Sequence, residues 1–262
     1  MHKIAAQLYT VRAHTQNFAD FRETCRRIKE MGYDGVQLSA VAPEITPEEI
    51  NQVLQETGLE CPATHFSLDH IESDFDGFVA KHRLWKCRYP AIGGNFMPLE
   101  KWSQENWDAF FVRFNALADR LAAQGLSLGY HNHHFEFARV NGLTTAYTML
   151  LNRLAPSAWL EVDTHWIARG GAEPSDIIRK AAHRLPCVHL KDMTITRSSD
   201  PEKDMLPAIC EVGDGNLNWP GILEACAYAG VQWYIVERDD GEMEAFDSLA
   251  RSLDNLRNRM GL

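Results

Sequence analysis

Leu-Ser-Leu-Gly-Tyr-His-Asn-His-His-Phe-Glu-Phe, residues 126–137, is the stretch of this sequence on which the fold is decided. Its first half, Leu126 to Tyr130, has the apolar character of a short buried strand. Its second half brings imidazole and carboxylate groups close together in the chain, at His131, His133, His134 and Glu136. Such groups at the end of an apolar strand are typical metal ligands. The stretch therefore predicts a functional site at a strand end, and further ligands are expected at the ends of other strands.

The rest of the chain alternates short apolar strands with amphipathic helices. The predicted strands cover residues 3–9, 33–39, 59–66, 89–92, 126–130, 159–163, 187–191 and 232–237. A helix is predicted after each strand, and several helix boundaries carry recognisable signals. Thr46-Pro47-Glu48-Glu49 is a capping box that begins one helix, and Ser103 and Gly125 bound another with a continuous apolar face.

This alternation of eight strands and eight helices predicts parallel pairing with right-handed crossovers. A (β/α)8 TIM barrel is the simplest closure, and about 250 residues is a usual length for that fold. The 262 residues contain no linker or low-complexity break, so one TIM-barrel domain over residues 1–262 is predicted. The competing doubly wound open sheet normally carries a glycine-rich phosphate loop after its first strand, whereas Tyr9-Thr10-Val11-Arg12 stands there.

Composition and charge exclude several classes of protein. With 45% hydrophobic and 24% charged residues, the chain has an ordinary globular composition rather than a disordered or fibrous one. The formal net charge of −10 opposes binding to phosphate backbones, so no nucleic acid partner is expected.

Localisation is predicted from the absence of membrane and export signals. No stretch approaches the roughly 18 apolar residues of a membrane span, and the first residues lack the apolar core of a signal peptide. The six cysteines contain no C-x-x-C pair, which favours reduced thiols. A cytoplasmic protein without a membrane partner is therefore expected, and a homo-oligomer is compatible with the sequence.

Functional groups of a barrel lie at the C-terminal ends of its strands, so the last residues of the predicted strands can be inspected together. They are Tyr9, Gln37, His65, the segment His131–Glu136, Asp163, His189, Lys191 and Glu237. Asp163, His189 and Glu237 each end an apolar run, where a buried charge is costly unless a cation or a hydrogen bond compensates it. Taken alone, Asp163 could cap the next helix and His189 could be a core histidine. Their coincidence on one barrel face favours a metal site completed by one ligand from the stretch after strand five.

Five motifs of this chain resemble those of the xylose isomerase-like superfamily of sugar isomerases and epimerases. They are Tyr130-His131-Asn132-His133 with Glu136, Asp163-Thr164-His165-Trp166, His189-Leu190-Lys191-Asp192, Gly213-Asp214-Gly215 and Val236-Glu237-Arg238-Asp239. The resemblance covers nearly the whole chain, and its most specific part is the order Glu, Asp, His, Glu along strands five to eight. It implies a TIM barrel that holds one divalent metal ion, Mn²⁺, Mg²⁺, Co²⁺ or Zn²⁺. The ligands that it implies are Glu136, Asp163, His189 and Glu237.

Two positions depart from the pattern of the superfamily. Many members carry the first ligand glutamate inside strand five, where this chain has His131, and the nearest carboxylate, Glu136, lies five residues further on. Either His131 is the ligand or Glu136 folds back from the loop. Because proton transfer needs a second carboxylate, Glu136 is the expected ligand and His131 the expected substrate contact. Trp166 stands where sugar epimerases and endonuclease IV-like members tend to have histidine, which disfavours a second metal site and points toward keto-sugar or inosose-like substrates.

The resemblance implies a metal-dependent isomerase or epimerase of a sugar or keto-sugar. In this chemistry a divalent cation holds carbonyl and hydroxyl oxygens and stabilises the enediolate that forms when a proton is removed. Glu136 and Glu237 are the expected catalytic groups, which take and return the proton. The expected substrate contacts are His65, His131, His133 and Lys191, with Trp166 as an apolar wall. For Trp166 and Trp102, ordinary core packing is the simpler explanation.

Three other functions are compatible with the same residues. Expelling a β-substituent from the enediolate would make the protein a lyase or dehydratase of inosose or 3-keto-glycoside substrates, and an enone chromophore would reveal it. An endonuclease IV-like DNA-repair enzyme would need further zinc ligands and a basic groove, neither of which is apparent. A non-catalytic sugar-binding barrel would show a broken ligand set, whereas the set here is intact.

The longest predicted loop runs from Thr194 to Gly215. Loops of this length in a compact domain usually serve a functional site. Its centre, Ser198-Ser199-Asp200-Pro201-Glu202-Lys203, is too polar to pack into a core. We therefore expect a mobile cover that orders over the bound sugar and excludes water.

Overall fold

The computed structural model describes residues 2–95, 97–197 and 205–262. Its strands are β1 (Lys3–Gln7), β2 (Gly35–Gln37), β3 (Ala63–His65), β4 (Tyr89–Ile92), β5 (Gly129–His131), β6 (Arg139–Asn141), β7 (Thr144–Thr145), β8 (Trp159–Asp163), β9 (Cys187–Leu190), β10 (Asp192–Arg197), β11 (Met205–Cys210) and β12 (Trp233–Val236). Its helices are α1 (Phe18–Met31), α2 (Pro47–Thr57), α3 (Leu68–Ser73), α4 (Phe75–Leu84), α5 (Gln104–Ala122), α6 (Ala146–Arg153), α7 (Thr164–Arg169), α8 (Pro174–Lys180), α9 (Trp219–Ala229) and α10 (Ala245–Asp254). Short 3-10 helices lie at Leu8–His14, Leu99–Lys101 and Phe135–Phe137, and a π-helical turn lies at Asn255–Arg259.

Eight of the described strands form one parallel sheet in the order β2-β1-β12-β9-β8-β5-β4-β3. The two ends of this order also approach each other, because isolated parallel bridges join Gly35 to Glu60 and Leu38 to Thr64. The sheet is thereby nearly closed into a barrel, with helices between its successive strands. The predicted (β/α)8 TIM barrel is confirmed.

The helix boundaries follow the signals in the sequence. Thr46 Oγ1 accepts a hydrogen bond from Glu49 N at 3.2 Å, and Glu49 Oε2 accepts one from Thr46 N at 2.8 Å, so the capping box of α2 is present. Ser103 Oγ begins α5 by accepting a hydrogen bond from Asn106 N at 3.3 Å. Gly58 ends α2 with a φ of 67°, which a residue without Cβ adopts readily.

The barrel interior is filled in layers, because alternate residues of each strand point inward. Near the N-terminal end of the barrel, the indole rings of Trp159 and Trp233 occupy the interior, and glycines make room for them. A Cβ atom at Gly129 would lie 2.2 Å from the Trp159 ring, and one at Gly35 would lie 3.0 Å from the Trp233 ring. The residues packed with these rings are small or apolar, namely Ala5, Ala63, Ala91, Cys187 and Ile235.

One layer further along the strands, the inward-facing positions become polar. Each of these positions lies two residues after an inward residue of the lower layers, and they are Gln7, Gln37, His65, His131, Glu161, His189 and Glu237. All of them except His65 are buried. The strand register therefore builds a polar layer across the C-terminal end of the barrel, which is where TIM barrels place their functional sites.

The segment after β9 differs from the predicted long loop between Thr194 and Gly215. β10 and β11 pair antiparallel, with Asp192 opposite Cys210 and Ile195 opposite Pro207, so much of this segment is a hairpin. The loop prediction is wrong there because the alternating run from Met193 to Thr196 is a strand signal. Residues 198–203, the predicted centre of the cover, lie outside the described residues. The short helices α3 and α7, which follow β3 and β8, are additions to the predicted pattern.

The cysteines form no disulfide in the structure. All six are free thiols, and five of them are buried. In addition, no helix in the described ranges is both long and apolar enough to cross a membrane.

Candidate metal centre

Four polar side chains from four strands converge at the C-terminal end of the barrel. His131 ends β5, Asp163 ends β8, His189 lies in β9 and Glu237 directly follows β12. One ligand atom from each lies within 4.8 Å of the others, and all four residues are buried. The structure thus brings together three predicted ligands, Asp163, His189 and Glu237, with His131, the alternative ligand from strand five.

The facing atoms of this ligand group suit a divalent cation. Asp163 Oδ2, His189 Nδ1 and Glu237 Oε2 are buried and have no hydrogen-bond partner among the described residues. The ammonium group of Lys191 lies between the two carboxylates, 2.8 Å from Glu237 Oε2 and 3.1 Å from Asp163 Oδ2, and His189 Nδ1 lies 2.9 Å from Glu237 Oε2. These ion pairs compensate the buried charges, and a divalent cation held by the same atoms would take over that role. Since two imidazoles and two carboxylates are a common donor set for divalent metals, the residues fit the metal ion that the sequence implies.

The charges of the ligand group depend on one another. Burial raises the pKa of Asp163 to about 6. Burial also acts to raise the pKa of Glu237, but the positive charges of Lys191 and His189 outweigh it and lower that pKa below its usual range. For His189, burial acts to lower the pKa, and the carboxylates of Glu161 and Glu237 outweigh it and raise the pKa to about 10. Glu237 is therefore ionised at neutral pH.

Glu161 is a buried carboxylate beside the ligand group that the inspection of strand ends misses. Its oxygens lie 2.5 Å from His65 Nε2, 3.1 Å from His189 Nε2 and 3.0 Å from Gln37 Nε2. His131 Nδ1 lies further away, at 3.7 Å. Burial acts to raise the pKa of Glu161, but His189 and His65 outweigh it and lower the pKa to about 2. An ionised carboxylate thus lies among three imidazoles in the polar layer.

The contacts of Glu161 determine how the His189 ring is presented. His189 Nε2 lies 3.1 Å from Glu161 Oε1 and 2.6 Å from Gln37 Oε1, so Nε2 is the nitrogen that donates to acceptors. Nδ1 faces Asp163 Oδ2 at 3.9 Å and Glu237 Oε2 at 2.9 Å, and it also carries a proton while the raised pKa keeps the ring charged. A carboxylate behind a ligating imidazole commonly fixes both the ring orientation and the tautomer. The sequence signal for Glu161 is its position two residues before Asp163, since alternate residues of a strand share a face.

Glu136 does not join the ligand group. Its Oε1 accepts a hydrogen bond from the Tyr130 hydroxyl at 2.7 Å, and its Oε2 accepts one from His133 N at 2.7 Å. Tyr130 points away from the barrel interior, with its ring 5.7 Å from that of Phe110, so Glu136 is held on the side of β5 opposite His131. Burial raises the pKa of Glu136 to about 8 in spite of these hydrogen bonds. The structure therefore places Glu136 as a support of the loop after β5, and it gives no geometry for the predicted ligand and acid–base roles.

Four of the five predicted substrate contacts border the ligand group, and the fifth, His131, belongs to it. Lys191 Nζ lies 5.3 Å from the centre of the Trp166 ring. The His133 ring lies 5.4 Å from the Trp166 ring and 4.9 Å from the His131 ring, so His133 and Trp166 form an aromatic wall. The His65 ring lies 5.1 Å from that of His131. The structure brings all five together, and Trp166 is only partly buried, as a wall of a site would be.

The carboxylate of Asp192 fixes the segment that follows the site. It accepts hydrogen bonds from the backbone N–H groups of Gly213, Gly215 and Leu217 at 2.9, 3.0 and 3.3 Å, and from Trp219 Nε1 at 2.6 Å. Asp192 is fully buried, and these donors compensate its charge in place of a cation. A Cβ atom at Gly215 would lie 2.3 Å from Asp192 Oδ1, so this close approach requires glycine. These motif residues therefore have a structural role, because they anchor the base of the β10–β11 hairpin.

A nearly closed (β/α)8 barrel with ligand atoms at its strand ends defines the general class of this protein. Residues 25–259 match the family described as the xylose isomerase-like TIM barrel, and the chain belongs to this family. The resemblance seen in the sequence motifs is thereby confirmed.

Two curated relatives are similar in sequence. The rhizopine catabolism protein MocC of Rhizobium meliloti is 25% identical over 245 residues, which cover 83% of this chain and 74% of that protein. The inosose dehydratase of Geobacillus thermodenitrificans (strain NG80-2) is 25% identical over 174 residues, which cover 61% of this chain and 57% of that protein. The chain thus matches little more than half the length of the dehydratase.

Two solved structures share the fold. A sugar phosphate isomerase/epimerase from Parabacteroides distasonis superposes with a TM-score of 0.78 at 21% identity, over 98% of both chains. A xylose isomerase-like TIM barrel protein from Mycobacterium smegmatis, solved in complex with magnesium, superposes with a TM-score of 0.69 at 16% identity, over 97% of this chain and 95% of that one. At these identities the likeness establishes the fold alone. Family and relatives together support an enzyme as the class of protein.

Proposed function

We propose that the protein is a divalent-metal-dependent dehydratase that removes a proton next to the carbonyl group of an inosose or keto-sugar and expels water. The observation that carries the proposal is the composition of the ligand group. His131 stands with Asp163, His189 and Glu237, whereas Glu136 is held on the other side of β5. An isomerase or epimerase that acts through two glutamates, one on each side of the sugar, would lack one of them here. A dehydratase needs one base and a proton donor for the leaving hydroxyl.

The proposed cofactor is one divalent metal ion, held by His131, Asp163, His189 and Glu237. When bound, such an ion polarises the carbonyl group of the substrate and holds a neighbouring oxygen. Two nitrogen and two oxygen donors suit Mn²⁺, Co²⁺ or Zn²⁺ better than Mg²⁺, which prefers oxygen ligands.

Glu237 is the proposed base. Its carboxylate is ionised at neutral pH, because the charges of Lys191 and His189 outweigh the effect of burial and lower its pKa below the usual range. It takes the proton from the carbon next to the carbonyl group, and the electrons of that C–H bond form a new double bond as the neighbouring C–O bond breaks. The hydroxyl group leaves as water after it takes a proton from a donor on the wall of the site. His65 is the donor that we propose for this step.

The remaining substrate contacts are proposed to orient the ring and exclude water. The rings of Trp166 and His133, whose centres are 5.4 Å apart, form an aromatic wall. The C–H face of a sugar or cyclitol ring can pack against this wall. Lys191 lies beside this wall, and ion pairs with Asp163, Glu237 and Asp239 hold its ammonium group there. His131 and His65, which both contact Glu161, border the site on its other sides. A site shaped in this way holds the reacting C–H bond in one orientation, which lowers the entropic part of the barrier.

A sugar isomerase or epimerase is the second candidate. Asp163 supports it, because burial raises the pKa of this second carboxylate to about 6, a value suited to returning a proton. Against it, Asp163 Oδ1 accepts a hydrogen bond from Trp166 N at 2.9 Å, which holds the side chain at the start of α7. DNA repair is not proposed, because the net charge is −10 and Trp166 replaces a histidine expected of that branch.

Metal analysis of the purified protein, followed by a substrate screen in deuterated water, tests the proposal. The panel contains inososes, 3-keto-glucosides, ketoses and aldoses. A dehydratase forms an enone that absorbs in the ultraviolet, and its product is lighter than the substrate by one water. An isomerase or epimerase forms a product of unchanged composition that carries solvent deuterium. Turnover that survives complete removal of the metal, or deuterium exchange without elimination, would contradict the proposal.

A further inference from the structure

A cavity of about 400 Å³ lies beside the metal centre, between the loops that follow β2 and β3. Its walls are mostly apolar and include Leu38, Val41, Ile45, Ile50, Phe66 and Trp85. Three basic side chains also line it, those of His65, His70 and Lys81. Cavities of this size and character commonly hold small organic ligands. Since His65 also contacts Glu161, the cavity adjoins the polar layer of the barrel.

Lys81 brings a positive charge to this cavity without a paired carboxylate. Its Nζ lies 2.7 Å from His70 Nε2, and 4.1 and 5.0 Å from the ring centres of Phe66 and Phe78. Within the described part of the chain, Lys81 forms no ion pair. Asp74 acts on the pKa of Lys81 through its charge but forms no ion pair with it among the described residues.

The protonation states of Lys81 and His70 leave the Lys81 ammonium group charged and able to pair with an anion. Burial lowers the pKa of Lys81 to about 8, so most of the group is still charged at neutral pH. Burial and the Lys81 charge lower the pKa of His70, so its imidazole is neutral and accepts a hydrogen bond from Nζ. A half-buried ammonium whose contacts are an imidazole and aromatic faces lacks a counter-charge, which is costly in apolar surroundings.

We infer that this cavity is a binding site for an organic anion with an apolar body, whose carboxylate or phosphate pairs with Lys81. A charge-assisted hydrogen bond from Nζ would supply the missing counter-charge. The apolar body would lie against Phe66 and Trp85. Its surface would then leave water without the loss of hydrogen bonds, which favours binding. None of these residues belongs to the metal ligand group, so binding does not require the metal.

Benzoate is the probe for this site, and benzyl alcohol is its neutral counterpart of similar shape. In calorimetry with the full chain after metal removal by chelation, benzoate is expected to bind at least tenfold more tightly than benzyl alcohol. Lys81→Met removes the charge and keeps much of the length, so it should abolish this preference. Lys180→Met, on the exposed side of α8, is the matched control and should behave as the wild type.

A second variant keeps the test decisive if Lys81→Met fails to fold. Val41→Trp fills the cavity from its partly exposed wall and should remove the binding of both probes, while thermal unfolding reports that the barrel is intact. Equal affinity for the two probes in the wild type, or unchanged benzoate affinity in Lys81→Met, would overturn the inference. Because the measurement uses metal-free protein, its outcome is independent of the proposed dehydratase.

Discussion

The Nε2 atom of His189 lies 3.1 Å from Oε1 of Glu161, on the side of the imidazole ring away from the proposed metal ligands. The same carboxylate lies 2.5 Å from His65 Nε2, so one buried charge supports residues from two other strands. In the metal-free protein His189 is thus a charged imidazolium whose Nδ1 faces Asp163 and Glu237, and a metal ion that binds there displaces the Nδ1 proton. A ligand that is already oriented costs less entropy to bring to the metal.

Glu161→Gln is predicted to weaken divalent-metal affinity by about 10- to 100-fold, the effect usual for partners behind ligating histidines. The amide keeps the shape of the side chain but cannot accept from His65, His189 and Gln37 as a carboxylate does. Calorimetric titration with Mn²⁺ or Zn²⁺ measures the loss. Glu48→Gln, exposed on α2, is the control with the same chemical change. Equal affinities in the two variants would show that Glu161 does not support the ligands.

A comparison of His131→Ala with Glu136→Gln tests which residue from the stretch after strand five holds the metal. We predict that His131→Ala loses most of its bound metal, because it removes one of the four proposed ligands. Glu136→Gln should keep the metal, because its side chain is bound to Tyr130 and His133 N instead. Elemental analysis after dialysis provides the measurement. Retained metal in His131→Ala together with loss in Glu136→Gln would reverse the assignment and restore the expectation from the sequence.

The contrast between Asp163 and Glu161 shows what the sequence could predict of the site. Asp163 ends an apolar run, so its charge is conspicuous and its place at the barrel mouth follows from the fold alone. Glu161 lies inside the same run, and its role emerges only when its inward-facing register is combined with the positions of His65 and His189 from distant strands. Strand-end inspection finds residues by position, whereas support between side chains requires three-dimensional distances.

Glu136 shows a different limit of the sequence. Its distance along the chain from His131 is compatible with a return to the barrel mouth. The 3-10 helix Phe135–Phe137 instead turns the carboxyl group toward Tyr130, and only the backbone path decides this direction. For the β10–β11 hairpin, in contrast, the local sequence did contain the signal. Its alternating pattern indicates a strand, but the polar composition of the whole segment led to the prediction of a loop.

The stability of the protein should carry a pH dependence that comes from Glu136. Burial raises its pKa from 4.5 to about 8, so the folded state keeps a proton that the unfolded state loses between these values. This stabilising contribution is fully present below about pH 4.5 and is lost as the pH rises through about 8. Glu136→Gln has a permanently neutral side chain of the same shape, so its free energy of unfolding should fall less over this window. The difference should be on the order of 1–3 kcal/mol.

Urea unfolding of both proteins at about pH 5 and about pH 8 measures this difference. Glu48→Gln serves again as the control, because an exposed carboxylate contributes little to such a slope. The same pH slope in the wild type and in Glu136→Gln would mean that Glu136 is ionised in the folded protein. That result would also reopen its candidacy as an acid–base group.

His131→Glu is the final test, because it places a carboxylate at the strand-five position where relatives of this family were expected to have one. The donor set proposed for the wild type contains two imidazoles, which favours Zn²⁺ or Co²⁺ over Mg²⁺. Exchange of one imidazole for a carboxylate should shift the ratio of the Mg²⁺ and Zn²⁺ dissociation constants toward Mg²⁺ by at least tenfold. Competition titration against a fluorescent chelator measures this ratio.

The new carboxylate of His131→Glu would also face Glu161, since His131 Nδ1 lies 3.7 Å from Glu161 Oε2. Repulsion between the two charges is expected to lower affinity for all metals, and His131→Gln separates this effect from the change of donor type. If His131 is a ligand, only the glutamate variant changes the metal preference strongly.

If the dehydratase proposal is also right, the same variant gains the second carboxylate that proton return requires. Its products should then contain more of the deuterium-exchanged, undehydrated sugar than those of the wild type, and an unchanged product ratio would count against the role assigned to the missing carboxylate.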